Sequence, residues 1–135
     1  MVHALRRAQR IVTRRGFIID LHPTDTPATV EADGIIGHVD AGDAPLRHAL
    51  ADAAVATAVR QDLFAIVRTL VFRFYTYGDT IDELRSFVET TWRDARIDAA
   101  TVERTREALR GAPAGTRPRV CEEVRVTKLR PISSW

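Results

Sequence analysis

The feature that most constrains this chain is a run of β-branched and aromatic residues from Leu63 to Tyr77. Its large apolar side chains fall on alternate positions, which is the period of an extended strand. They are Phe64, Ile66, Leu70, Phe72 and Phe74, and Arg68 interrupts the face that they share. The opposite face carries Arg73, Tyr75 and Tyr77. The chain is therefore expected to contain a long strand, with a sheet to pair it.

Helical patterns occur on both sides of this strand. Residues 2–15 place apolar side chains at helical spacing with arginines opposite, and Gly16 is expected to end that helix. A second helix is predicted from Asp43 to Gln61. Its expected apolar face is narrow and consists of Leu46, Ala49, Leu50, Ala53 and Ala54.

Two further helices follow the long strand. A capping box from Thr80 to Glu83 opens the third, because the threonine side chain and the glutamate satisfy free backbone N–H groups. Asp98 caps the fourth helix, which ends at Gly111. The expected core stripe of the third helix is Ile81, Leu84, Val88, Thr91 and Trp92.

Shorter segments predict the remaining strands. The apolar run Phe17–Leu21 is typical of a strand that is buried on both faces. Asp33-Gly34 favours the positive φ angles of a tight turn, so residues 28–32 and 35–40 are predicted to form a β-hairpin, placed as an excursion on the surface. The last strand is expected from Arg119 to Leu129, with Val120, Val124 and Val126 on one side.

These elements predict a single α+β domain over residues 1–135, with a small, mainly antiparallel sheet of about three to five strands and about four helices. The chain has one cysteine, Cys121, which excludes an internal disulfide and favours the reducing cytoplasm. No run is apolar enough for a signal peptide or a membrane span, so no membrane association is expected. A net charge of only +2 does not favour nucleic acid as a partner.

The order of these segments resembles the C-terminal half of class I methyltransferases that use S-adenosylmethionine. Arg15-Gly16 stands at the turn that feeds the fifth sheet strand of that family, and Phe17–Leu21 stands at the fifth strand itself. Residues 63–76 and 120–129 stand at the closing antiparallel pair of strands. The resemblance therefore implies a methyltransferase-like half Rossmann fold.

The cofactor-binding half of that family is missing here, since the chain has no Gly-x-Gly-x-Gly and no room before the first helix for the strands concerned. The resemblance then implies that the lone chain binds no cofactor and that S-adenosylmethionine binds only with a partner chain. It also implies an unpaired edge at the fifth strand, so Phe17, Ile18, Ile19 and Leu21 are predicted to form an interface. Three ways of covering this edge are open: a homodimer mate, the 28–40 hairpin, or a separate chain that supplies the missing strands.

Few residues are candidates for chemistry. Asp20 and His22 lie near the carboxyl end of a predicted strand, which suggests His22 as a general base and Asp20 as a ligand contact. Arg73, Tyr75 and Tyr77 form a polar-aromatic face that suits a small molecule. His38 and Asp40 repeat the His/Asp alternation, but their spacing fits no ligand motif, and no metal site is predicted. Cys121, Trp92 and Trp135 are interpreted as packing residues.

Two functional hypotheses follow. The first is a half-domain without its own cofactor site that acts as a dimerising or partner-completing module; as a lone chain it is expected not to be an enzyme, and any methyl transfer would need a partner. The alternative is a small-molecule-binding protein or small enzyme with a pocket around His22, Arg73, Tyr75 and Tyr77.

Overall fold

A computed structural model describes residues 1–132, which form four helices and a five-stranded sheet. The predicted mixed α+β class is confirmed. The helices are α1 (Val2–Ile11), α2 (Ala44–Arg60), α3 (Ile81–Thr91) and α4 (Ala99–Gly111). The strands are β1 (Ile18–Pro23), β2 (Thr29–Glu31), β3 (Ile35–His38), β4 (Phe64–Tyr77) and β5 (Arg119–Pro131). Trp135, interpreted above as a packing residue, lies outside the described residues.

The sheet is organised around β5. Its strand order is β1-β5-β2-β3, and β4 also pairs with β5. The pairs β1/β5, β2/β5 and β2/β3 are antiparallel. Residue contacts divide the chain into two compact units, the first with residues 1–25, 46–72 and those from 124 onward, the second with 26–45 and 73–123. That residues 1–135 form one domain stays a prediction.

The first unit packs α1 and α2 on one face of its strands. A buried cluster joins Leu5 of α1, Val55 and Ala58 of α2, Phe64 of β4 and Leu129 of β5. Phe64 is fully buried, and burial of such a side chain contributes about 1.5–3 kcal/mol to stability. These five side chains hold the two helices against the strands.

The second unit has its own core between the hairpin, β5 and the last two helices. Ile81, Leu84 and Val88 of α3 are buried against Val30 and Val120, and Trp92 packs at the margin, as predicted. Both predicted caps form: the Glu83 N–H donates to Thr80 Oγ1 at 3.1 Å, and the Thr101 N–H donates to Asp98 Oδ1 at 2.6 Å. Thr91 was wrongly assigned to the core stripe, because α3 ends there and its side chain is exposed.

The predicted hairpin forms, with positive φ at Asp33 and Gly34. Its placement on the surface was wrong. β2 pairs with β5, and Val30 is fully buried, because its valine faces the helices of the second unit. Within residues 1–132 the hairpin pairs with β5 and not with β1, so one of the three ways of covering that edge is not observed.

Burial of β1 on both faces was also wrong. Phe17, Ile19 and Leu21 are 54, 50 and 60% exposed, whereas Ile18 packs against the α1/α2 cluster. Within the first unit the helices cover one face of β1 only, so its side chains alternate between covered and open. The structure therefore shows one covered face of β1 and one exposed face, and the exposed face is apolar.

The helices differ from prediction at their faces and ends. On α2 the small residues Ala51, Ala54, Val55 and Ala58 are buried, while Leu46 and Leu50 are exposed. Close approach of α2 to the strands explains this, because small side chains permit it and leucines do not. Helix α1 ends at Ile11 rather than at Gly16, since Val12 adopts an extended conformation.

Candidate functional site

His22 on β1 lies at the centre of a polar cluster in the first unit. Its Nε2 is 2.7 Å from Asp52 Oδ1, and its Nδ1 is 2.8 Å from Asp20 Oδ2. Arg125 of β5 donates a hydrogen bond to the other oxygen of Asp52. The His22 side chain is only 11% exposed. The predicted pair Asp20 and His22 is therefore brought together with two partners that are distant in sequence.

Strand alternation explains this convergence. Asp20 and His22 are two residues apart, so their side chains project from the same face of β1. Arg125 is the register partner of His22 on β5 and shares that face. Helix α2 packs over the same face through Ala51, Val55 and Ala58, which brings Asp52 onto the imidazole.

The charges in the cluster are arranged to compensate one another. Burial by itself raises the pKa of Asp52, but the hydrogen bonds from Arg125 and His22 outweigh it and hold that pKa below its ordinary value. Asp20 Oδ2 and His22 Nδ1 approach closely without the alignment of a hydrogen bond, and within residues 1–132 neither atom has another hydrogen-bond partner. The cluster thus holds two carboxylates, one imidazole and one guanidinium in a largely buried setting.

This geometry limits what His22 can do. Both ring nitrogens face carboxylates, and only a protonated imidazole can donate from both. A general base needs a free nitrogen within hydrogen-bond reach of the substrate. The arrangement suits an ionic tie between β1, α2 and β5. The catalytic role of His22 stays a prediction that would require one of these contacts to open.

A second polar cluster lies on the strands of the second unit. The Arg119 guanidinium stacks on the Tyr75 ring with its carbon 4.2 Å from the centroid, and it forms an ion pair with Glu31 at 3.1 Å. Arg119 also donates to the Tyr77 hydroxyl at 3.3 Å. Arg117 lies over the Tyr77 ring at 5.4 Å. Two arginine–tyrosine stacks therefore run along this face.

Ionisable groups around these stacks are perturbed. Burial by itself raises the pKa of Glu31, but hydrogen bonds from Thr29 and Arg119 outweigh it and lower that pKa. Burial and the negative charge of Glu31 raise the pKa of the Cys121 thiol. A thiol with a raised pKa is a weak nucleophile at neutral pH, which agrees with the interpretation of Cys121 as a packing residue.

The predicted site residues fall into both units. Asp20 and His22 belong to the first unit, whereas Arg73, Tyr75 and Tyr77 belong to the second. The four residues of the proposed small-molecule pocket therefore form no single site inside either unit. His38 of β3 is exposed, and within residues 1–132 no group of three or more His, Cys, Asp or Glu side chains is arranged to hold a metal ion.

Each unit also has an open groove. The one in the first unit has a volume of about 450 Å³, is mainly apolar, and is lined by Met1, Val2, Arg47, Leu50, Ala51, Ala53, Ala54 and Thr57. The one in the second unit has a volume of about 400 Å³ and is lined by Asp79, Thr80, Ile81, Asp82, Arg106, Leu109 and Arg110. Neither groove contains any of the predicted site residues.

The sequence analysis missed Asp52, Arg125, Arg119 and Glu31. Asp52 lies 30 residues from His22, and nothing local links the two. One signal was present: Asp52 is the single charged residue in the alanine-rich stretch 49–59. A carboxylate there suggests a partner across the interface between helix and strands.

The chain was compared with protein-family models, curated proteins and solved structures. No match was found in any of the three. In addition, no helix within residues 1–132 is long and apolar enough to cross a membrane. Function must therefore be argued from the geometry of the chain itself.

Proposed function

We propose that this chain is a protein-association module: a methyltransferase-like half-domain without a cofactor site of its own that works as a homodimer or with a partner chain. The observation that carries the proposal is the apolar surface on the strands of the first unit. Its exposed residues are Phe17, directly before β1, Ile19 and Leu21 on β1, and Ile66, Val67, Leu70, Val71 and Phe72 on β4.

The size of this surface supports association. Each of these eight side chains is between 41 and 60% exposed. With roughly 150–200 Å² for a fully exposed large residue, they present on the order of 700 Å² of apolar area. This area is divided between the two faces of β4, so each share lies within the roughly 300–600 Å² of the largest apolar patch on a typical monomer, which is itself often functional. A standard interface buries roughly 800 Å² per partner.

Strand pairing also supports association with a partner chain. β1 lies next to β5, as the resemblance implies for the fifth strand and the closing strand, and β1 is the terminal strand of its path. Its outer edge is the position that the missing strands would occupy, so a partner chain could extend the sheet there through main-chain hydrogen bonds. S-adenosylmethionine would then bind only in that complex. We place the module in the reducing cytoplasm because of its single cysteine.

Native mass spectrometry of the purified chain across a dilution series tests this proposal. A dimer that dissociates on dilution supports a dimerising module. Titration with S-adenosylmethionine in a calorimeter provides the companion measurement, and we expect no heat of binding for the chain alone. A chain that stays monomeric at hundreds of micromolar contradicts the homodimer, and a chain that binds S-adenosylmethionine alone contradicts the proposal as a whole.

A second candidate function rests on the arginine–tyrosine stacks of the second unit. Exposed aromatic rings with adjacent guanidinium groups can hold an anionic or planar small molecule. Tyr75→Ala and Arg119→Ala would abolish binding of such a ligand in a thermal-shift screen, whereas Phe87→Ala, at an exposed aromatic side chain of the second unit outside the stacks, would not. The absence of any ligand-induced shift for the wild type would remove this candidate.

A further inference from the structure

Strand β4 has the longest open edge among the described strands. It contains 14 residues and, within residues 1–132, pairs with β5 alone. The other terminal strands are much shorter, with 6 residues in β1 and 4 in β3. An open edge presents unpaired N–H and C=O groups that can pair with another strand. β4 is therefore the strongest site for strand addition.

The usual protections of an edge strand are few in β4. Natural edges carry prolines, inward-pointing charges or bulges that discourage pairing. The part of β4 in the first unit, residues 64–72, contains no proline or glycine and has one charged residue, Arg68. Its side chains at 66, 67, 70, 71 and 72 are each about half exposed. Because neighbouring residues point to opposite faces, apolar groups are open on both sides of the strand.

We infer that the open edge of β4 pairs with the same edge of a second copy of this chain, with residues 68–72 of the two copies facing each other. This inference rests on the proposed function and names its partner. A second copy fits because an antiparallel pair of identical strands is related by a two-fold axis, so every unpaired group finds its equivalent. An acidic partner strand is not required, since the edge has a single cationic residue.

The position of the two-fold axis follows from geometry and charge. A two-fold axis perpendicular to the sheet leaves each side chain on its own face of the sheet. One residue then lies opposite its own copy, and residues at equal distances before and after it lie opposite each other. An axis at residue 68 would set two Arg68 side chains opposite each other, which is destabilising. An axis at Leu70 sets Arg68 opposite Phe72, where a guanidinium is attracted by the ring. We place the axis at Leu70.

The area that this pairing buries is compatible with a dimer. Among residues 68–72 the exposed apolar side chains are Leu70, Val71 and Phe72, which present on the order of 250 Å² per copy. This is well below the roughly 800 Å² per partner of a standard interface, so main-chain hydrogen bonds between the two strands supply much of the affinity. The dimer is thus expected to be weak and to dissociate on dilution.

Cysteine cross-linking tests the pairing. In a Cys121→Ala background, Leu70→Cys places two thiols across the axis at the Cα separation of opposite residues in an antiparallel pair, which a disulfide can span. We expect a disulfide-linked dimer under mild oxidation. Ile35→Cys is the matched control, because residue 35 is also an exposed apolar strand position, and it should form no disulfide-linked dimer under the same conditions. A dimeric protein in which Leu70→Cys forms no cross-link overturns the inference.

Charge substitutions separate this inference from the broader proposal. Leu70→Lys/Val71→Lys should raise the dimer Kd at least tenfold, with an unchanged circular dichroism spectrum, while Leu21→Lys on β1 should leave it unchanged. If only Leu21→Lys weakens the dimer, the module associates through β1 and the β4 inference fails alone. If the wild type is a monomer at high concentration, the β4 inference and the homodimer form of the proposed function both fail. If a dimer survives every one of these changes, the β4 inference is again contradicted.

Discussion

Replacement of Asp52 by asparagine is the most informative test of the polar cluster around His22. The change keeps the size of the side chain but removes the charge that accepts hydrogen bonds from His22 and Arg125. A hydrogen bond to a charged group contributes about 1.5–3 kcal/mol, and the 28% exposure of Asp52 reduces that through solvent screening. We expect a loss of about 2 kcal/mol in the free energy of unfolding, which is about 1 M in the urea midpoint.

The effect should depend on pH with a defined sign. The pKa of Asp52 is lowered in the folded chain, so the folded state binds fewer protons than the unfolded state near that pKa. The stabilisation is therefore complete above the unfolded pKa, about pH 4, and is lost as the pH falls through the folded pKa. The difference between wild type and Asp52→Asn should shrink steadily from pH 5 to pH 2.

Urea unfolding followed by circular dichroism measures both effects. Arg125→Gln and the double variant complete a cycle that isolates the coupling between the two residues. Asp82→Asn is the control, because Asp82 forms an exposed ion pair with Arg106 and should change stability little. A loss below about 0.5 kcal/mol for Asp52→Asn, the level of a neutral surface change, would refute the ionic tie.

Three further predictions concern the two cores and the thiol. Phe64→Ala should lower the free energy of unfolding by about 3–5 kcal/mol, because it leaves a cavity in the core of the first unit. Urea unfolding measures this loss, and a loss under about 1 kcal/mol would contradict the burial of Phe64 in that core. Gly37→Ala should lower the thermal midpoint, because the added Cβ would lie 2.8 Å from Thr101 Oγ1; an unchanged midpoint would show that α4 can move away. Glu31→Gln should lower the pKa of Cys121 and speed its reaction with a disulfide reagent at pH 8; an unchanged rate would mean that burial alone sets the pKa.

Local signals predicted much of the fold. The capping box at Thr80 and the Asp98 cap placed the starts of α3 and α4, because these motifs depend only on residues within one turn. The Asp33-Gly34 turn placed the hairpin for the same reason. The alternation in β4 identified a strand, since that period is a property of the backbone.

The faces of the elements were harder to predict. The sequence of α2 contains leucines and alanines on several sides, and only its close approach to the strands selects the alanine face. Phe17–Leu21 is apolar at most positions, so its pattern cannot show that only one side is covered. Both errors arise because tertiary packing, not local pattern, decides which apolar side chains are buried.

The candidate site was predicted only in part. Asp20 and His22 were found because alternation along one strand brings them together. Asp52 and Arg125 complete the cluster from segments 30 and 103 residues away from His22, and pairing over such distances leaves no short-range signal. The open β4 edge likewise appears only once the strand order is known.

The mass of the purified chain in solution tests the central claim most directly. Sedimentation equilibrium over a hundredfold concentration range should give a mass that rises from the 15.1 kDa of one chain to twice that value. Leu70→Lys/Val71→Lys should stay at the single-chain mass over the same range. A wild-type mass that stays at one chain at every concentration would contradict the account of this protein as a dimerising module.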